Sequence, residues 1–119
     1  MDAVLFEEHG EIDVLESQLV SVPDIGPEEI LVETRACALN RLDIFVREGI
    51  PGAELDLPHI SGGDIAGVVS EVGSRVDTVD PGDRVLLDPR ITCGECEYCL
   101  KGESNRCADE VHGNLGEEY

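Results

Sequence analysis

"DIAGVVSEVGSRVDTVDPGDRVLLDP", residues 64 to 89, holds two apolar, β-branched runs separated by the reversal "DPGD" at 80 to 83. Runs of this length and composition predict strands, and Pro and Gly between them predict the point at which the chain turns back. The pattern repeats outward. "AVLFEE" at 3 to 8, "QLVSV" at 18 to 22 and "EILVETRAC" at 29 to 37 read as further strands, parted by the turn-rich "PDIGPEE" at 23 to 29 and "GIPGAELDLP" at 49 to 58. A mainly β barrel or sandwich is expected. One stretch breaks the rhythm: "NRLDIFVREG", 40 to 49, offers Asn40 as N-cap, Leu42, Phe45 and Val46 on one helical face, and Gly49 as the stop. A short helix is predicted there. Cys37, at the end of a strand-like run, is expected to be a small buried apolar group.

With 119 residues the chain makes one domain able to bury about two thirds of its unfolded surface, and no internal repeat or low-complexity linker divides it. It carries 27 acidic residues against seven arginines and one lysine, a formal net charge of −19. That charge repels nucleic-acid phosphate and anionic lipid, and no apolar run or leader sequence predicts a membrane or secretory route; the expected setting is the cytoplasm. Disorder is not expected, because 41% of the residues are hydrophobic and the acids are spread among them. Self-repulsion of this size is screened within about 3 Å at molar salt, so the composition reads as halophilic.

"CGECEYCLKGESNRC", residues 93 to 107, gathers four of the five cysteines, with Gly94 and Gly102 giving the backbone room to wrap their sulfurs around one centre. Cys93, Cys96, Cys99 and Cys107 would satisfy one tetrahedral Zn²⁺ and leave no open position, so the ion would hold structure and perform no chemistry. Two other uses of the sulfurs compete. Disulfides suit neither a cytoplasmic setting nor cysteines this close in sequence. A [4Fe–4S] cluster commonly follows spacings of two, two and three with Pro after the last cysteine; here the last gap is seven and Ala108 follows Cys107. His9, His59 and His112 show no ligand spacing among themselves.

Taken together, "RACALNRLDIFVREG" and "LPHISGGDIAGVVSEVGSRVDTVDPGDRVLLDPRITCGECEYCLKGESNRC" resemble the N-terminal, GroES-like catalytic domain of the medium-chain dehydrogenase/reductases, the zinc alcohol dehydrogenase and quinone oxidoreductase superfamily. The resemblance covers nearly all of residues 1–119 and implies a partly open β-barrel with short helices and a protruding four-cysteine zinc lobe at about residues 90–110. It also implies NADPH or NADH as cofactor, a small carbonyl or alcohol substrate and a homo-oligomer in the full-length enzyme.

The departures from that family are informative. Its catalytic zinc takes a Cys and a His at positions that match Asn40 and Gly63, and the Ser or Thr that begins its proton relay matches Leu42. Asn is a weak ligand, Gly has no side chain and Leu passes no proton. Asp64 replaces the family's Glu. "N-x-x-D-x-x-x-R-x-G", from Asn40 through Asp43 and Arg47 to Gly49, resembles the quinone oxidoreductase branch instead, which implies hydride transfer to an enone, quinone or related carbonyl polarised by hydrogen bonds. Asn40, Asp43 and Asp64 are then the candidate catalytic residues. Arg41, by the same resemblance, meets the cofactor pyrophosphate. Structural roles stand beside these: Asn40 as N-cap, Asp43 as a first-turn carboxylate, Asp64 as a hydrogen-bond acceptor at a strand end, Arg47 as a surface ion pair.

Nothing in the chain supplies a strand, a G-x-G-x-x-G turn and a helix in succession, so the Rossmann cofactor domain is expected to be absent and the chain to be one piece of a longer oxidoreductase, inactive alone. Two alternatives remain. One is a zinc-dependent alcohol dehydrogenase with altered ligands, the other a non-enzymatic, zinc-stabilised binding module.

Overall fold

A computed structural model describes residues 1–52, 54–108 and 111–112, the last two through their backbone alone. β1 (Asp2–Phe6) and β2 (Glu16–Leu19) form a hairpin around a 3₁₀ turn at Ile12–Val14. There follow β3 (Ile30–Ala38), α1 (Arg41–Glu48), β4 (His59–Ile60), β5 (Asp64–Val72), β6 (Arg84–Leu86), β7 (Arg90–Ile91), α2 (Glu97–Leu100), a 3₁₀ turn at Ser104–Arg106 and β8 (Val111–His112). All pairings are antiparallel: one sheet in the order β2-β1-β4, a second in the order β3-β5-β6, and a ribbon of β7 and β8. The sheets are open and do not close on one another, which is the partly open β arrangement expected.

The five predicted strands and the helix are all present, at slightly different bounds. The β-branched run 64 to 73 forms the centre of its sheet, with β3 on one side and β6 on the other. Two register shifts, at Leu31/Val32 and Thr34/Ala36, coil the β3–β5 ladder while keeping Ala38 opposite Asp64. Asn40, two residues beyond Ala38, is thereby carried to the start of β5. β4 was not legible as a strand in "GIPGAELDLPHI". It exists because Phe6 and Leu5 on β1 pair with His59 and Ile60.

The core is small: Leu5 and Phe6 of β1, Val46 of α1 and Val69 of β5 are buried. Two polar side chains, Asp43 and His59, are buried with them. Cys37 is exposed, contrary to its expected burial, because both faces of β3 are open to solvent from Glu33 onward. Among the described residues no helix is long and apolar enough to cross a membrane.

Candidate functional site

Two groups of chemically capable side chains are built by the fold. In the lobe after β7, Cys93, Cys96, Cys99 and Cys107 place their sulfurs within 4.8 Å of one another. Tetrahedral Zn²⁺ with Zn–S of about 2.3 Å requires S–S edges of about 3.8 Å; the Cys93–Cys107 and Cys93–Cys99 edges are 3.6 and 4.0 Å. These sulfurs are far beyond disulfide bonding distance, and all five cysteines are free. The local backbone explains the convergence. Gly94 and Gly102 sit at φ of +73° and +77°, where a Cβ is disfavoured, and the N–H groups of Cys96 and Cys99 donate to the sulfurs of Cys93 and Cys96 at 3.4 and 3.5 Å. Cys96 caps α2, and the guanidinium of Arg106 lies 4.3 Å over the Tyr98 ring, tying the 3₁₀ turn to that helix.

The thiols do not titrate alike. The Cys99 N–H draws Cys96 down to about 7, while burial, then hydrogen bonding to Cys96, pushes Cys99 up to about 11. Crowded sulfurs without a cation resist full ionisation, whereas a divalent ion among them stabilises four thiolates. The donor set, its edges and its N–H···S bonds therefore fit a structural Zn²⁺.

The second group lies at the N-terminus of α1. Asn40 caps the helix, its Oδ1 accepting from the Leu42 N–H at 2.8 Å, while Asp43 Oδ2 accepts from the Asn40 N–H at 2.7 Å. This is a capping box, and it settles the structural parts assigned to Asn40 and Asp43. The Asn40 Nδ2 donates to Asp64 Oδ2 at 3.0 Å, across 24 residues of sequence. Gly63 beside Asp64 is buried. Gly62 takes φ of +112°, and a Cβ there would lie 2.7 Å from Cys37 Sγ, so this loop passes directly over the end of β3. Although Cys37 is exposed, slight desolvation of its thiol, then the Asp43 and Asp64 carboxylates, raise it above its ordinary value.

Asn40, Asp43 and Asp64 thus lie together, the Asn40 carboxamide donating to Asp64 and the Asn40 backbone N–H to Asp43. Arg47 closes the far end of α1 by donating from Nε to the Gly10 carbonyl at 3.1 Å, and its ion pair with Glu48 spans 3.4 Å. His9 Nδ1 lies 3.2 Å from the Arg47 carbonyl, and both His9 and His59 pack on Phe6, with ring centroids 5.9 and 5.5 Å away. The buried His59 was missed in the sequence because its partners come from β1. Among the described residues, Arg35, Arg47, Arg75, Arg90, Lys101 and Arg106 form ion pairs, whereas Arg41 and Arg84 form none. Arg41, at the first position of α1, is an exposed cation beside the Asn40 site.

The alcohol dehydrogenase GroES-like domain model matches residues 26–118. The chain belongs to that family. It is 36% identical over 94 residues to a sorbitol dehydrogenase of Bacillus subtilis (strain 168), covering 77% of this chain and 27% of that protein. A quinone oxidoreductase of Lama guanicoe is 34% identical over 104 residues, covering 87% of this chain and 32% of that protein. The crystal structure of an NAD-dependent alcohol dehydrogenase superposes with a TM-score of 0.87 at 43% identity, over 97% of this chain and 34% of that one. The chain spans about a third of the length of these relatives. Those relatives are a sorbitol dehydrogenase, a quinone oxidoreductase and an alcohol dehydrogenase.

Proposed function

We propose that the domain forms the substrate side of an NAD(P)-dependent oxidoreductase of the quinone, enone or carbonyl reductase type, with one structural Zn²⁺ per chain and no ordinary catalytic zinc. The observation that carries this reading is the Asn40 Nδ2 to Asp64 Oδ2 hydrogen bond of 3.0 Å. Where a zinc-dependent relative would hold its metal, an amide already bonds the carboxylate, and Gly63 offers no ligand. Among the described residues, the only gathering of three or more Cys, His, Asp or Glu ligands at metal-binding spacing is the cysteine quartet. Zn²⁺ held there is fully coordinated, so it orders the lobe and leaves the chemistry to other groups.

A nicotinamide nucleotide, held mainly by a cofactor domain outside this chain, supplies the hydride. The residues of this chain do the rest. Asn40 donates through Nδ2 to the substrate carbonyl oxygen, stabilising the negative charge that develops there. Asp43 fixes the backbone of Asn40, and Arg41 meets the phosphates of the nucleotide with a guanidinium that no acid of the described residues occupies. Leu39 and Ile44, the exposed apolar residues flanking the cap, suit an apolar carbonyl substrate. We further place the enzyme in a salty cytoplasm, where a net charge of −19 is screened.

The sequence relationship to sorbitol and alcohol dehydrogenases favours the alternative, a zinc-dependent alcohol dehydrogenase with altered ligands. Assay of the full-length enzyme separates the two. NAD(P)H-dependent reduction of an enone or quinone that persists after removal of all but one zinc supports the reductase; oxidation of an alcohol that appears only with a second equivalent of zinc overturns it.

A further inference from the structure

The orientation of the Asn40 carboxamide is dictated by its partners. The Leu42 N–H requires an acceptor, so Oδ1 must face the helix, at 2.8 Å, and Nδ2 must face the other way. Nδ2 carries two hydrogens. Asp64 Oδ2 takes one at 3.0 Å, and the other has no partner among the described residues. Asn40 and Asp64 are both exposed, so the free N–H is open to a ligand. Among the described residues no ion pair involves Asp64, from Arg41 or any other cation.

A ligand oxygen that accepts the free N–H must lie within a few ångströms of the Asp64 carboxylate. A ketone, enone or quinone oxygen is uncharged and meets only the donor. A substrate with a carboxylate or phosphate next to its carbonyl brings a second negative charge to the same place, where like charges repel strongly.

We propose that Asp64 is a positioning and specificity residue: it holds one Asn40 N–H, leaves the other for the ligand, and by its charge restricts that ligand to an uncharged carbonyl compound. The specificity half rests on the reading of Asn40 as donor to the substrate oxygen.

The test uses the full-length enzyme with ethylideneacetone and with the corresponding oxo acid, in which a carboxylate replaces the methyl group on the carbonyl carbon. The wild type should favour the neutral ketone in kcat/KM by about tenfold or more. Asp64→Asn keeps an acceptor for Asn40 but removes the charge, and should shrink the ratio several-fold, through a lower KM for the acid. An unchanged ratio overturns the assignment. Reduction of neither compound by the wild type overturns the functional reading and the specificity half with it. The positioning half is read separately by NMR of the labelled 119-residue chain. One Asn40 side-chain proton should exchange more slowly than the other, and Asp64→Leu should equalise them; equal exchange in the wild type overturns it.

Discussion

Asn40 and Asp64, 24 residues apart, meet through a 3.0 Å hydrogen bond because β3 and β5 pair Ala38 with Asp64 and the chain turns into α1 just beyond. One side chain thereby caps a helix and anchors the adjacent strand. Removing it has two separable effects. Asn40→Ala should lower stability by about 0.5–2 kcal/mol through the lost cap, and should lower kcat of the full-length enzyme by about 10²-fold through the lost donor. Asn40→Asp retains an oxygen for the Leu42 N–H but sets two carboxylates face to face. It should fail to restore activity, and thermal melting together with kcat distinguishes the two effects.

Gly62 tests how tightly the loop passes over β3. At φ of +112°, with Cys37 Sγ 2.7 Å from the position of its missing Cβ, Gly62→Ala should cost about 1–3 kcal/mol. Part of that is contact and part is backbone conformation. In a Cys37→Ala background the contact part should vanish, so the double-mutant cycle in denaturant should show a coupling of about 0.5 kcal/mol or more. Strict additivity would remove the close approach.

His59 gives the domain an acid-sensitive element. Burial, then the nearby His9, lower its pKa below 6.5, with the Asp43 carboxylate opposing them. The unfolded chain then binds more protons than the folded one once pH falls below about 6.5, so stability is retained above that value and declines beneath it. His59→Phe, which preserves an aromatic ring against Phe6, should flatten the dependence of the melting temperature between neutral and mildly acidic pH. An unaltered slope would assign the effect to other groups.

The net charge of −19 predicts a salt response. The six ion pairs of the described residues involve only six of the 27 acids, leaving most of the repulsion to be screened by solvent ions. Raising KCl from dilute to molar should therefore raise the melting temperature, since the screening length contracts to about 3 Å. Equal melting in both would remove the halophilic reading.

Features that depend on local sequence were legible before the fold was known. The strand runs, the cap-to-glycine span of α1 and the cysteine spacing each report a short-range requirement, of backbone propensity, of orphan N–H groups or of thiolate geometry. What depended on pairing was hidden. β4 is two residues long and exists through β1, and the burial of His59 follows from that pairing with Phe6. Cys37 has the type of a core residue, but only the packing shows that both faces of β3 are left open from Glu33 onward. The capping pair Asn40 and Asp43 is legible in the spacing, yet nothing there shows that the Asn40 carboxamide donates to Asp64 across 24 residues.

Metal analysis of the purified chain addresses the central claim most directly: that the sulfur quartet holds one sealed ion while the Asn40–Asp64 pole holds none. Mass spectrometry should find one zinc per chain, lost on Cys107→Ser together with the order of the lobe and unaffected by Asn40→Ala. Two zinc ions per chain, or a single one that departs with Asn40 and survives Cys107→Ser, would contradict it.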